Sequence, residues 1–404
     1  MRLSLLTILA VLLTGCSASR QPTGLKDTSV KLEIEGWHDG LPRYSHEGNW
    51  ITFMRIGADG ESQLMLADPT LAHVHPLFHA EVSDPTLVMG YLMPQGVAED
   101  RPEWSPHDHR IAFERIENFN IDGEELSGTA IWSYSLSDGH ILPLALHPKK
   151  YKNVFYYYSS PKWSSTGDYL ALTGRDLTGQ NCIIIRPTHA VSPALVHPLF
   201  DRYGESDSMS WHTFKGSTSL AYSMVVVGAP HLADIAKLYI LKPGDPNSEG
   251  CGCVWQITAS QIRNDLHIPR NDSPAPRISS IKWSPNGNLI AFTLSYNSSS
   301  SEDSSLWIYS LSSHKAFRCT PLDGYGYMNA VWKGNSRLCG VSVKNGAFHA
   351  VSVNVYRHTA QNLASIPSPD CSWSPKRSWI VAATKKGGIS YGETTLVRIA
   401  TGLR

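Results

Sequence analysis

Along this chain of 404 residues, short apolar runs alternate with tight polar turns in one unit that recurs seven times. A strand-like segment ends on an aromatic residue, a polar turn follows, and a second, apolar segment begins. The clearest copy is Ile281-Lys282-Trp283-Ser284-Pro285-Asn286-Gly287-Asn288-Leu289-Ile290-Ala291-Phe292. In it Pro pre-sets φ at the first turn position, Asn tolerates unusual backbone angles, and Gly supplies the positive φ that lets a hairpin close. Other copies centre on Trp104-Ser105-Pro106, Trp163-Ser164-Ser165, Trp373-Ser374-Pro375, Trp332, Trp211 and, with tyrosine as the aromatic, Tyr44-Ser45. Successive aromatics stand 60, 59, 48, 72, 49 and 41 residues apart. That range suits four short strands per unit joined by loops of uneven length.

The segment after each turn is apolar at successive positions, as in residues 289–294, which predicts a strand buried on both faces between neighbouring sheets. The aromatic anchor is expected to pack between those sheets. A third and a fourth strand follow. Residues 130–136 and 141–146 flank Asp138-Gly139, a hairpin turn, and residues 304–311, 237–241 and 350–356 hold the third place in later units. The seventh unit runs out after its third strand, 395–401. Its missing fourth strand is expected from residues 29–35, whose alternation of apolar and polar positions marks a half-exposed outer strand. First and last segments then share one blade and remove the open edge. The predicted fold class is all-β: a seven-bladed β-propeller over residues 29–404, closed by N- and C-terminal strands in the last blade.

Propeller geometry sorts the loops by face. Turns from first to second and from third to fourth strand lie on one face; second-to-third loops and blade-to-blade connections lie on the other. The first class is short here, while the long segments 80–101, 114–129, 147–160, 224–236, 259–277 and 295–303 belong to the second. Loops of that length in a compact domain are usually functional or disordered, so the long-loop face is the expected binding surface. Residues just before each innermost strand are placed around the channel mouth there: His38, Asp39, Glu99, Asp100, Arg101, Tyr157, Tyr158, Asp207, Arg277, Tyr325 and Tyr327. Mixed charges and tyrosines suit a polar ligand or a protein segment. Lys149-Lys150-Tyr151-Lys152, followed by Phe155 and three tyrosines, is the richest basic and aromatic cluster.

The N-terminus sets the compartment. After Met1 and Arg2 an apolar run ends at Leu13-Thr14-Gly15-Cys16. A membrane span takes roughly 20 residues, so this shorter run reads as the h-region of a signal peptide. Its end resembles a bacterial lipobox, which implies a signal peptide over residues 1–15, lipidation of Cys16 and a tether over 16–28. Several acyl chains on one cysteine anchor stably where a single chain binds marginally. Ser17 stands where an inner-membrane retention signal has Asp. The expected location is the outer membrane, facing the periplasm, or the outer leaflet of the plasma membrane in a monoderm.

Charge argues by exclusion. Lys plus Arg and Asp plus Glu number 35 each, with a pI near 7.3, and no basic stripe points to nucleic acid. The six cysteines after Cys16 allow up to three bridges in an oxidising compartment, with 15 possible connectivities. Asn118-x-Asn120-x-Asp122-Gly123 opens like a calcium loop, but Thr129 stands where the bidentate Glu belongs. His73-x-His75 and His107-x-His109 put paired rings on one strand face, yet the first falls on an outer strand and the second in a short turn. No nucleophile elbow, phosphate loop or His-Glu-x-x-His is present. No metal, cofactor or catalytic residue is expected.

The Trp-Ser-Pro-x-Gly copies resemble the TolB-like propeller repeat, also seen in the propeller of prolyl-oligopeptidase relatives. The resemblance spans residues 29–404 and implies the fold, not a function. TolB carries an additional α/β domain before its propeller, for which residues 16–28 are too few, so TolB's partner contacts do not carry over. The reading is a non-enzymatic, monomeric envelope lipoprotein, membrane-bound through its lipid, whose propeller binds a protein or glycan. The alternative is a polysaccharide lyase: oligogalacturonate lyases are also single-domain seven-bladed propellers with metal held by histidines, although this chain lacks their Gln-x-x-His-x-His cluster.

Overall fold

A computed structural model of the protein describes residues 30–31, 38–56, 62–77, 102–107, 109–121, 123–145, 155–176, 181–188, 195–198, 208–226, 235–243, 252–258, 261, 276–295, 304–319, 326–385 and 394–403. These residues form 28 β-strands, four to each of seven blades arranged as a propeller. The innermost strands are His38–Tyr44, Glu103–Trp104, Phe155–Trp163, Met209–Phe214, Arg277–Trp283, Gly326–Lys333 and Cys371–Trp373. Blades are numbered here in that order. Within each blade the strands are antiparallel and consecutive, as in blade 5, where Arg277–Trp283, Leu289–Ser295, Ser304–Ser310 and Lys315–Arg318 follow one another.

Blade 7 is the exception that closes the ring. Its strands Cys371–Trp373, Trp379–Lys385 and Thr394–Ala400 are completed by Val30–Lys31, with Val30 opposite Arg398 and Lys31 opposite Val397. Of the segment 29–35 expected to close the ring, residues 30 and 31 pair as predicted, and 29 and 32–35 lie outside the described residues.

The apolar core is divided among the blade junctions. Seven buried clusters occur, one between each pair of neighbours. Between blades 1 and 2, for example, Met54, Leu64 and Leu66 meet Trp104, Ile111 and Phe113. Every anchor aromatic packs toward the preceding blade, and four of the six tryptophan anchors also use the indole N–H to bind that blade. Trp104 Nε1 donates to the Arg43 carbonyl at 3.3 Å, Trp211 to Lys162 at 2.9 Å, Trp283 to Ser210 at 3.0 Å and Trp332 to Lys282 at 2.9 Å. Each accepting carbonyl belongs to the residue just before the previous blade's anchor.

The serine after the anchor closes the turn. Ser45, Ser105, Ser164, Ser284 and Ser374 each accept, through Oγ, the backbone N–H five residues on, at 3.0–3.2 Å.

One expectation needs correcting, and one open question is answered where the residues are described. Segment 114–129 is not a loop. Blade 2 carries a continuous ribbon of Arg110–Ile121 against Glu124–Ser135, paired from Arg110↔Ser135 to Ile121↔Glu124. Gly123, at φ 97°, lets the hairpin reverse in two residues. The cysteines are also not cross-linked where described. Cys182, Cys253, Cys319, Cys339 and Cys371 form no disulfide, and all but Cys253 are buried in blade-junction clusters, where they serve as small apolar side chains. Cys16 and Cys251 lie outside the described residues. No helix among the described residues is long and apolar enough to cross a membrane.

Candidate functional site

The innermost strands of blades 1, 3, 5 and 6 carry the same irregularity. A register shift against the second strand coincides with a left-handed residue three positions before the anchor: Leu41, Ser160, Ser280 and Asn329, at φ 52–54°. Bulges of this kind bend a strand and re-aim its side chains. Two residues further, immediately before the anchor, stand Arg43, Lys162, Lys282 and Val331; blade 2 has Glu103 at that place, and blades 4 and 7 have Ser210 and Ser372.

The charged members of this set converge. Arg43 Nη2 donates to Glu103 Oε2 at 2.6 Å, and Lys162 Nζ donates to the same oxygen at 3.2 Å. Glu103 and Lys162 each keep only 14% of their side-chain surface. Burial alone would raise the Glu103 carboxyl, but Lys162, Arg43 and Lys282 hold it well below the usual carboxylate range. Lys282 is the least satisfied member. Burial first, then Arg43 and Lys162, bring its ammonium down to about 7 against the opposing pull of Glu103. Among the described residues no hydrogen bond or ion pair holds it. Arg377, in the short turn of blade 7, adds another cation within reach of Lys282; its guanidinium donates to the Trp332 carbonyl at 3.2 Å and the Ser374 carbonyl at 2.8 Å.

Beside this cluster lies a cavity of about 330 Å³, walled by Glu103, Lys162, Lys282, Trp163, Met209 and Trp211. His46 and Ser165, both exposed residues of short turns, form its rim. The cavity therefore sits at the short-turn end of the channel.

The residues placed by sequence at the long-loop mouth fare differently. Glu99, Asp100, Arg101, Asp207 and Tyr325, the side chain of Tyr157, and the basic run 149–152 lie outside the described residues. Asp39 is buried in a two-pronged pair with Arg55 of its own blade, at 2.7 and 2.9 Å; burial raises its carboxyl despite Arg55. Tyr158 and Tyr327 are core residues of the junctions between blades 2 and 3 and between blades 5 and 6. His38 and Arg277 are part-exposed members of innermost strands.

Arg43, Glu103, Lys162 and Lys282 were readable as a signal: a charged residue directly before an anchor aromatic, in four of seven units. His75 lies on the outer strand Val74–Pro76 and His107 in an exposed turn. Among the described residues no group of three or more His, Cys, Asp or Glu could hold a metal ion.

No protein-family model matches the chain, and no curated protein matches it. Solved structures do. Oligogalacturonate lyase from Vibrio parahaemolyticus is similar over 92% of this chain and 93% of its own, with a TM-score of 0.57 and 9% identity. The β-propeller domain of the trilobed protease from Pyrococcus furiosus, described as having an open velcro topology, covers 91% and 94% with a TM-score of 0.53 and 12% identity. TolB from Acinetobacter baumannii is a looser likeness, at 91% and 80%, a TM-score of 0.41 and 12% identity. At these identities the likeness is one of fold: the chain is a β-propeller whose structural neighbours include lyase, protease and TolB propellers.

Proposed function

We propose that this chain is a non-catalytic binding propeller of the bacterial cell envelope, anchored through lipid on Cys16, that takes a ligand at the short-turn end of its channel. The observation that carries this reading is the convergence of Arg43, Glu103, Lys162 and Lys282 from four blades beside a cavity of about 330 Å³. Small-ligand sites fall at roughly 300–1,000 Å³ and pair apolar walls with a few convergent polar groups. Trp163, Trp211 and Met209 supply such walls. The channel end thus replaces the long-loop mouth as the favoured place for the ligand, because charged groups meet there.

Native mass spectrometry of the protein, extracted gently from its own envelope, tests the reading. The parent should carry a bound small molecule that a Lys162→Met/Lys282→Met variant lacks. The same adduct on both proteins would place binding elsewhere. Unsaturated products formed from oligogalacturonate with added manganese would replace the binding reading with the lyase alternative.

A further inference from the structure

Among the described residues the charge at the channel end is unbalanced. Arg43, Lys162, Lys282 and Arg377 face one another's fields, and the carboxylate among them is Glu103, already held by Arg43 and Lys162. A part-buried ammonium without a partner, set among other cations, is destabilising. The fold has no need of one at this register, since Ser210, Val331 and Ser372 occupy it in other blades. Lys282 nevertheless lines a cavity together with Lys162. Local departures from a self-consistent fold are expected at functional sites, and a recessed site of one sign concentrates ligands of the other.

We infer that this end of the channel is an oxyanion site, in which a carboxylate or phosphate group of a small ligand sits against Lys282 and Lys162 and completes the charge balance of the cluster. The inference rests on the binding reading above and gives the ligand its chemical class. The cavity's size admits a small solute or the end group of a longer molecule. Depression of the Lys282 ammonium to about 7 then links binding to proton uptake: the anion favours the charged form, so affinity rises as pH falls. Arg43 on blade 1, Glu103 on blade 2, Lys162 on blade 3 and Arg377 on blade 7 are the charged groups around it, with the imidazole of His46 at the rim.

Calorimetric titration of the full chain with succinate, inorganic phosphate and glucose tests the inference. Succinate or phosphate should bind at least about tenfold more tightly than glucose, and their ratio tells carboxylate from phosphate. Lys282→Met should lose about tenfold in that affinity, while Lys315→Met, an exposed outer-strand lysine of blade 5, should lose none. Sulfate, a dianion throughout, should bind about tenfold more weakly at pH 8 than at pH 6, as the charged fraction of a group titrating near 7 falls. Lys282→Arg should keep the affinity and lose the pH dependence, because guanidinium stays charged; dependence that persists in this variant overturns the link between Lys282 and proton uptake. Anions that bind no better than glucose, or equally well to Lys282→Met, overturn the inference. A neutral adduct lost from the Lys162→Met/Lys282→Met variant would overturn it while leaving the binding reading intact.

Discussion

Glu103 is where removal of a few atoms should be felt most. It accepts from Arg43 and Lys162 on one oxygen and lies in the field of Lys282. Glu103→Gln keeps the shape and removes the charge, leaving the cations to repel one another. Breaking a buried pair from one side costs about 3–5 kcal/mol, and residual channel solvent puts this case at the lower end. The urea midpoint should fall accordingly; an unchanged midpoint would mean that the cations relax outward into water. Lys282 makes the opposite prediction. Its ammonium titrates near 7 in the fold against 10.5 as a free side chain. Between those values the unfolded chain holds a proton that the folded chain does not, so stability rises with pH, by at most about 1.4 kcal/mol per unit. Below pH 7 both states are protonated and the Lys282 contribution is flat. Lys282→Met should therefore melt above the parent at pH 6, with the gap closing toward pH 9. A gap that widens with pH would contradict the burial of this group. Nothing in hydropathy marks these residues, because each charged side chain sits in a motif read for its aromatic neighbour. The partner that makes it meaningful lies a blade away, about sixty residues along the chain.

The turn element shows what a glycine does when its surroundings are crowded. Gly216 and Gly287 both adopt positive φ, at 80° and 70°. A Cβ on Gly216 meets nothing within 4 Å, whereas one on Gly287 would lie 2.2 Å from Nε2 of His212. That ring is stacked on Trp283 with centroids 5.3 Å apart, so it moves only by disturbing the junction of blades 4 and 5. Gly216→Ala should cost about 1 kcal/mol, the conformational part alone, and Gly287→Ala about 1–3 kcal/mol more as overpacking. Adding His212→Ala to Gly287→Ala should recover much of the excess, which chemical denaturation of the four proteins reads as a coupling energy. Additive costs would mean that the ring is free to turn away. At this scale most of the fold was legible. The polar turns, the anchors between blades and the third strands follow from local chemistry that recurs, with variation, in seven units. The ribbon of blade 2 escaped because its polar strands, rich in Asn and Glu, do not read as buried, although Asp122-Gly123 carried a hairpin signal. Tyr158 and Tyr327, read as a polar rim, are buried because each innermost strand begins earlier than the repeat suggests.

Across the whole molecule, two devices act on different scales of energy. The seven apolar clusters hold neighbouring blades together, each with seven or more buried residues. The N-terminal strand adds two paired residues to blade 7, and hydrogen bonds contribute about 1 kcal/mol each. In a chain this long 1 kcal/mol moves the melting temperature by only about 2 °C. The tether has its own test: a Cys16→Ala chain should leave the membrane fraction, and one that stays with membranes would remove the lipid anchor from the reading. Closure is tested by deleting residues 21–36, which leaves Cys16 in place and bares the outer edge of Thr394–Ala400. That strand carries Leu396, Val397 and Ile399, and an uncovered apolar edge is a template for another chain. Melting should fall by only a few degrees, because the junction clusters remain. Self-association should rise steeply with concentration, read by light scattering or sedimentation. A deletion protein that stays monomeric at every concentration would show that the two-residue pairing does not guard this edge. Large-scale unfolding would show that the ring depends on its closing strand far more than the distribution of its buried residues implies.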